Sequence, residues 1–376
     1  MVTPSASPLT VLQLTHQGDG AGSTQSIHSL SIHLARRGHR VLVGCRPDTL
    51  LARLVREQAN GVTHVPLAFD GVRRAARAVR DVVERERVDV VNSHATQDRH
   101  ACMWLRWRHG LPQALVVTRR TMPLTSPPAL LAVGLTADRT IAVSRAVARG
   151  LRRRLHPTDR VRVVPNGVDL ERIDAPPAAA DLAAARAALG DTGDRPIIVV
   201  MARRKDQEVP IRALAHLERP VVLACVGMEA APELASDLEA VPPHHRVVFV
   251  PFTERPLAFY RLATASALPS RIEGLSQALL ESMALGLPVV ASDSGGNTDL
   301  LTTGATGILV PPLDPGAWAG AFEGLLRDRA WAGRLAQAGR DLVRREYTLP
   351  GTAERTEVVY AEAVRRRQLL RGEALG

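Results

Sequence analysis

Short runs of Val, Ile and Leu recur along the chain with amphipathic stretches between them, and this alternation is what most limits the folds open to it. The runs fall at residues 9–15, 41–45, 62–65, 88–92, 115–118, 140–143 and 161–164 in the first half, and at 196–201, 221–226 and 247–250 in the second. Continuous apolar runs of that length fit strands covered on both faces. Their alternation with helical stretches predicts an α/β protein whose parallel sheets carry helices on both sides. At 376 residues the chain has the length for two such domains. Pro176-Pro177 and the alanine-rich run to Gly190 mark the crossover, giving expected domains over 1–170 and 171–346 and a closing helical segment over 347–376. Only 3% of the residues are aromatic, so the cores must be built from Val, Leu, Ile and Ala.

The stretch 269–297 is the most informative single piece. It reads Pro-Ser-Arg-Ile-Glu-Gly-Leu-Ser-Gln-Ala-Leu-Leu-Glu-Ser-Met-Ala-Leu-Gly-Leu-Pro-Val-Val-Ala-Ser-Asp-Ser-Gly-Gly-Asn. Leu279, Leu280, Met283 and Ala284 have helical spacing, Ser276 is a capping residue, and Gly286 with Pro288 stops the element, which predicts a helix over 276–285. Gly274, Leu275 and Ser276 then present backbone N–H groups at its positive end, where phosphate is favoured. Glu273 stands just before the helix and Glu281 inside it, so two carboxylates bracket an anion-binding start.

Other candidates are spread along the strands' ends. His16-Gln-Gly-Asp-Gly-Ala-Gly-Ser-Thr24 follows the first strand as a glycine-rich turn into a helix, with Gly22 near its end; such turns suit phosphate but are common. His94 directly follows the strand ending Val91-Asn92-Ser93, at the strand end where open α/β sheets bind ligands. It reads either as a site residue or as a structural hydrogen-bonding one. Arg119, in Val117-Thr118-Arg119-Arg120, either binds a phosphate or carboxylate of an acidic acceptor or is simply solvated. Of the 48 lysines and arginines, Lys205 is the only lysine. Its survival in an arginine-biased chain, in Ala202-Arg203-Arg204-Lys205, hints that a compact ammonium is needed there.

The pattern Glu-Gly, six residues, Glu-x-Met-Ala-x-Gly-x-Pro-Val-Val-Ala-x-Asp-x-Gly-Gly resembles the donor-binding motif of the retaining GT-B glycosyltransferases of family 4 (glycosyl transferases group 1). The resemblance implies two Rossmann-like doubly wound domains facing across a cleft, with the terminal helix crossing back to the first. It implies transfer of a sugar, with retention, from a nucleotide-diphosphate sugar, UDP- or GDP-linked, to a hydroxyl of a glycan or lipid-linked acceptor. The Glu-Gly-Leu-Ser variant points to a bacterial, lipopolysaccharide-type surface glycan. Arg203, or Arg204 in its place, would grip the donor diphosphate with Lys205 and the amides of Gly274, Leu275 and Ser276. Glu281 would hold the ribose hydroxyls, and Glu273 the sugar hydroxyls and the cationic ring. His94 corresponds to a His-containing turn that the family often carries at this place, and is the candidate catalytic residue beside Glu273. Gly22 matches the second glycine of a pair that approaches the diphosphate, while Ala21 replaces the first. The chain departs again at Arg119, where many members have His, and at Gly227-Met228-Glu229, which lacks a second glycine. Pro251-Phe252-Thr253 would lie near the nucleobase. Residues 141–144, 163–169 and 307–314 also resemble the family. No cofactor is implied, and no Asp-x-Asp motif for a metal-bound diphosphate is present. The same frame is compatible with a phosphorylase or epimerase, in which Lys205 would form a pyridoxal phosphate aldimine, and with a non-catalytic nucleotide-sugar or glycan binder.

The formal charge of +10 and pI of about 10.8 raise the question of nucleic acid or an anionic membrane as partner. Short clusters such as Arg73-Arg74, Arg152-Arg153-Arg154 and Arg365-Arg366-Arg367 have no interleaved aromatics for base stacking, so nucleic acid is not expected. Solvated faces and contact with anionic lipid headgroups remain. Cys45, Cys102 and Cys225 lack metal-ligand spacing and read as small buried apolar residues in a reducing compartment. The start, Met-Val-Thr-Pro-Ser-Ala-Ser-Pro, does not read as a signal peptide, and no segment has the length of a membrane span. The expected location is the cytoplasm, with peripheral contact at the inner membrane face allowed.

Overall fold

The computed structural model describes residues 7–19, 22–58 and 60–372, and two compact units make it up, one running to Gly167 and resuming at Leu349, the other Val168–Thr348. The first unit contains β1 (Thr10–Leu14), α1 (Gly22–Arg36), β2 (Arg40–Cys45), α2 (Leu50–Glu57), β3 (Val62–Pro66), α3 (Val72–Arg85), β4 (Val90–Ser93), α4 (Thr96–His109), β5 (Ala114–Arg119), α5 (Pro127–Thr136), β6 (Arg139–Ala142), α6 (Arg145–Arg152) and β7 (Val161–Val163). Its sheet runs β3-β2-β1-β4-β5-β6-β7, with parallel pairings. Strand residues divide between two cores. Val11, Val41 and Val90 pack with Leu30 and Leu34 of α1, while Leu12, Leu14 and Leu42 pack with Ala76, Val79 and Val83 of α3 and Leu105 of α4. Period-two alternation thus sends apolar side chains to both faces.

The second unit contains α7 (Leu170–Asp174), α8 (Ala179–Leu189), β8 (Ile197–Met201), α9 (Glu208–Ala213), β9 (Val222–Val226), α10 (Ala235–Glu239), β10 (Arg246–Val250), α11 (Pro256–Leu262), β11 (Ala265–Leu268), α12 (Gln277–Ala284), β12 (Val289–Ser292), α13 (Asn297–Leu300), β13 (Ile308–Val310), α14 (Pro315–Arg327) and α15 (Arg329–Glu346). Its order is β10-β9-β8-β11-β12-β13, again with parallel pairings. One face packs Ile198, Val200 and Leu223 against Trp318 and Phe322 of α14. The other packs Val199, Val222 and Ala224 against Leu189 of α8 and Phe259 of α11.

Each run read as a strand from sequence holds one, with ends displaced by one or two residues. The final helix, α16 (Leu349–Arg371), begins two residues later than expected because Tyr347 closes α15. It belongs to the first unit, where Ala353, Val359, Tyr360 and Ala363 join the core of Val11 and Val90. The cysteines are buried and free. Burial pushes the Cys45 thiol up to about 11 and Cys225 to about 12, so neither is a reactive thiolate at neutral pH. Among the described residues no helix is long and apolar enough to cross a membrane.

In each sheet the order reverses once, between β1 and β4 in the first unit and between β8 and β11 in the second. Loops leaving two adjacent strand ends in opposite directions open a crevice there, the ligand position of doubly wound sheets.

Candidate functional site

In the second unit the two loops at the switch point are joined by side chains from both. After β8 the chain turns sharply, with Asp206 in the left-handed region at φ 45°. Gln207, fully buried, holds that turn: its Oε1 accepts from the Lys205 amide at 2.5 Å and its Nε2 donates to the Arg203 carbonyl at 2.7 Å. The Asp206 carboxylate accepts from the Arg271 amide at 2.9 Å and from Arg271 Nε at 2.8 Å, tying the turn to the loop after β11. In that loop Glu273 is buried, and its Oε2 accepts a hydrogen bond from Lys205 Nζ. An ammonium and a carboxylate from the two loops are therefore paired at the strand ends.

The paired glycines fix the same loop from behind. The Gly296 amide donates to the Glu273 carbonyl at 3.0 Å. A Cβ on Gly295 would stand 2.1 Å from the Glu273 oxygen, and one on Gly296 only 1.7 Å from the Gly274 oxygen. Glycine is required because backbone meets backbone there, and Gly295 also takes φ +53°.

The helix expected over 276–285 is α12, with Ser276 as N-cap accepting from the Leu279 amide at 3.3 Å, Leu285 as C-cap and Gly286 at φ +78°. Glu281 lies on a buried face rather than a solvated one. Burial pushes its carboxyl up, opposed by Arg172, whose Nη1 donates to Glu281 Oε1 at 3.2 Å, and by Gln277. Leu275 and Ser276 are also buried. Arg204 donates to Glu208 Oε2 at 2.6 Å and Gln207 Oε1 at 3.3 Å, and both Arg203 and Arg204 are exposed. Phe252 is exposed. Gly227 takes φ +104° beside the Ala202 carbonyl.

In the first unit the strand ends beside the reversal hold a buried polar network. Tyr360 from α16 accepts from Gln13 Nε2 at 3.0 Å and Asn92 Nδ2 at 2.8 Å. Gln13 Oε1 thus faces His94 Nε2, 2.7 Å away. That contact places the imidazole proton on Nε2, since the Gln13 amide nitrogen is already committed to Tyr360. His94 Nδ1 is left as a bare acceptor, buried and without a partner among the described residues. Burial, then the charge of Arg120, hold the His94 pKa well below the ordinary value, so the ring is neutral at pH 7.

Asp98 shapes this turn. Its carboxylate accepts from Ser93 Oγ at 2.7 Å, from the His94 and Ala95 amides at 2.9 Å each, and faces His16 Nδ1 at 2.9 Å. Burial alone would push Asp98 up, and these hydrogen bonds outweigh it, leaving its pKa below the usual value. Gly22 opens α1 and is exposed, with its carbonyl accepting from Ser26 Oγ at 2.8 Å; Ala21 lies outside the described residues.

The structure thus gathers Lys205, Glu273, Gly274, Leu275, Ser276 and Glu281 around one pair of loops in the second unit, and puts His94 and Gly22 at the strand ends of the first. Sequence reasoning missed Gln207 and Arg172. Gln207 immediately follows the cation cluster and could have been flagged as its support. Arg172 contacts Glu281 across 109 positions, which no local spacing shows.

Comparison with known proteins bears on the fold and the family. The family described as "Glycosyl transferases group 1" matches residues 195–328, and "Glycosyltransferase Family 4" matches residues 20–172. A D-inositol 3-phosphate glycosyltransferase of Xylanimonas cellulosilytica is 31% identical over 93% of this chain and 94% of its own. A GDP-mannose-dependent alpha-(1-6)-phosphatidylinositol monomannoside mannosyltransferase of Mycolicibacterium smegmatis is 36% identical over 56% of this chain and 59% of its own. Among solved structures, Anabaena HepE in complex with UDP-glucose superposes with a TM-score of 0.81 at 19% identity, covering 94% of this chain and 100% of that one. Sucrose-phosphate synthase from Thermosynechococcus elongatus gives 0.78 at 22% identity, covering 97% and 100%. On its two parallel-sheet units and on these matches, the chain has the GT-B fold and belongs to the glycosyltransferases of family 4.

Proposed function

We propose that the protein transfers a sugar from a UDP- or GDP-linked donor to a hydroxyl of a glycan or lipid-linked acceptor, with retention of configuration and without a metal ion. The observation that carries this reading is the Lys205–Glu273 pair at the switch point of the second unit. Expelling the nucleotide diphosphate builds negative charge on the leaving oxygen. Lys205 and Arg203, with the amides of Gly274, Leu275 and Ser276, supply positive charge for it. One donor aimed at such charge contributes about 10²- to 10³-fold in rate. When the diphosphate takes the Lys205 ammonium, the Glu273 carboxylate is released to bind sugar hydroxyls and to steady the cationic ring. Glu281, paired with Arg172, accepts from the ribose hydroxyls.

The acceptor oxygen attacks the anomeric carbon from the face the diphosphate leaves. The glycosidic bond breaks with its electron pair on the phosphate oxygen, which takes the acceptor's proton. The neutral His94, with Nδ1 bare, accepts from a hydroxyl near the reacting sugar, and Gly22 lies at the turn that approaches the diphosphate. The names of the relatives favour inositol phosphates or phosphoinositides over a lipopolysaccharide-type acceptor. Peripheral contact with an anionic membrane is supported by an exposed groove of the first unit, lined by Arg73, Arg77 and Arg80 of α3 and Trp104, Arg108 and His109 of α4.

The test is release of free nucleotide from UDP-, GDP- and ADP-sugars, with inositol phosphate and phosphoinositide vesicles as acceptors, and the anomeric coupling constant of the product read by NMR. Release from one donor with an unchanged anomer is expected. A protein that binds a nucleotide sugar and releases nothing with any acceptor is a binding protein, and an inverted product overturns the retaining mechanism.

A further inference from the structure

Two arginines of the first unit, Arg99 and Arg119, come together at the carboxyl ends of β4 and β5 without an ion-pair partner among the described residues. Arg119 ends β5 and is 7% exposed, and Arg99, in the first turns of α4, is 5% exposed. Arg120 follows Arg119 directly in the chain. Among the described residues the buried Arg119 Nε has no hydrogen-bond partner. Arg99 reaches only Thr96 Oγ1, at 3.3 Å. Arg120 donates to Asn166 Oδ1 at 2.8 Å, with its Nε buried and unpartnered. Asp98 is the acid nearest to Arg99 in its electrostatic effect, but its oxygens already serve Ser93, two amides and His16.

A buried guanidinium without a counter-charge is costly, and folded proteins keep one where a ligand supplies the missing anion. Burial pushes Arg119 down to about 10, and the Arg99 charge adds to that; burial alone brings Arg120 to about 10. All remain cations at neutral pH, and Arg119 and Arg99 are close enough to repel. Planar guanidinium forks suit the oxygens of a phosphate. His94 Nδ1, bare beside Arg120, offers an acceptor for a neighbouring hydroxyl.

We propose that Arg99 and Arg119 form a phosphate-binding subsite for the acceptor, so that the preferred acceptor is a polyol carrying a phosphate near the reacting hydroxyl. This rests on the reading of the protein as a glycosyltransferase, and it adds a site at the position where many relatives carry a histidine. The phosphate can belong to a soluble phosphomonoester or to the diester of a lipid headgroup.

The test is calorimetric titration of the full chain with inorganic phosphate, inositol 3-phosphate and neutral inositol. Sedimentation with phosphatidylinositol and phosphatidylcholine vesicles identifies a lipid source. The phosphorylated polyol should bind and the neutral one should not. Arg119→Leu should weaken binding at least tenfold, equivalent to about 1.4 kcal/mol. Without ligand the same variant should melt no lower than the parent, because an unpaired charge has been removed; a merely structural arginine would lower the midpoint. Arg99→Leu should reproduce the loss of affinity. The proposal is overturned if neither phosphate nor inositol 3-phosphate binds the parent protein, or if Arg119→Leu binds as tightly or melts lower. Binding without any sugar transfer would refute the glycosyltransferase reading and leave the subsite standing. Equal KM for neutral and phosphorylated acceptors would refute the subsite and leave glycosyl transfer standing.

Discussion

Lys205, Glu273, His94 and Arg119 all lie at or just beyond strand ends. Lys205 and Glu273 were legible in the sequence, one as the lone lysine and the other inside a fixed motif. Their partnership was not, because they sit 68 positions apart. His94 illustrates a second limit: its position after a strand is local, but its tautomer is set by Gln13 and Tyr360, at the two ends of the chain, and its neutrality by burial and the charge of Arg120. That state has a measurable consequence. The unfolded chain protonates His94 near the ordinary value of about 6.5, while the folded protein keeps it neutral to much lower pH. Stability from this group is therefore complete above about pH 6.5 and falls as pH drops below it, with a slope approaching about 1.4 kcal/mol per pH unit. Denaturant titrations at pH 7.5 and 5.5 should show the fall, and His94→Asn should make it shallower. An unchanged slope in the variant would mean that the ring is already charged in the fold. His28 and His156, also lowered by burial, add to the slope in both proteins.

Elements were easier to read than their mutual contacts. Runs of Val and Ile gave the strands, and Ser276, Gly286 and Pro288 gave the ends of α12. What the sequence showed only as a glycine pair turns out to be a backbone clasp, Gly295-Gly296 against Glu273-Gly274, which keeps the acid loop in place. Gly296→Ala tests that clasp. Its backbone is ordinary, so the damage must come from the collision with the Gly274 oxygen, and the loop has to move. Unfolding free energy should drop by about 1–3 kcal/mol. Donor affinity should fall as well, because Glu273 and the α12 amides shift together. A variant as stable as the parent and unchanged in donor affinity would show that the loop tolerates displacement and is not held by the glycines.

At the scale of the whole molecule, the chain uses one plan twice. Each sheet reverses its strand order once, and charged side chains sit at the strand ends near each reversal, a cation paired with an acid in the second unit and arginines without an ion pair among the described residues in the first. The doubling could be read from the repeated strand–helix alternation. The return of α16 to the first unit depends on its apolar residues matching the face formed by Val11, Val90 and Val116, which periodicity alone does not specify. The central claim is that the second unit's switch point receives the nucleotide sugar through Lys205 and Glu281. The most direct measurement is calorimetric titration of the full chain with the donor found in the nucleotide-release screen, repeated on Lys205→Ala and Glu281→Gln. Binding should weaken about tenfold or more in each, as expected for loss of a charge-assisted hydrogen bond contributing about 1.5–3 kcal/mol. Equal donor affinity in all three proteins would contradict the assignment of the donor to this site.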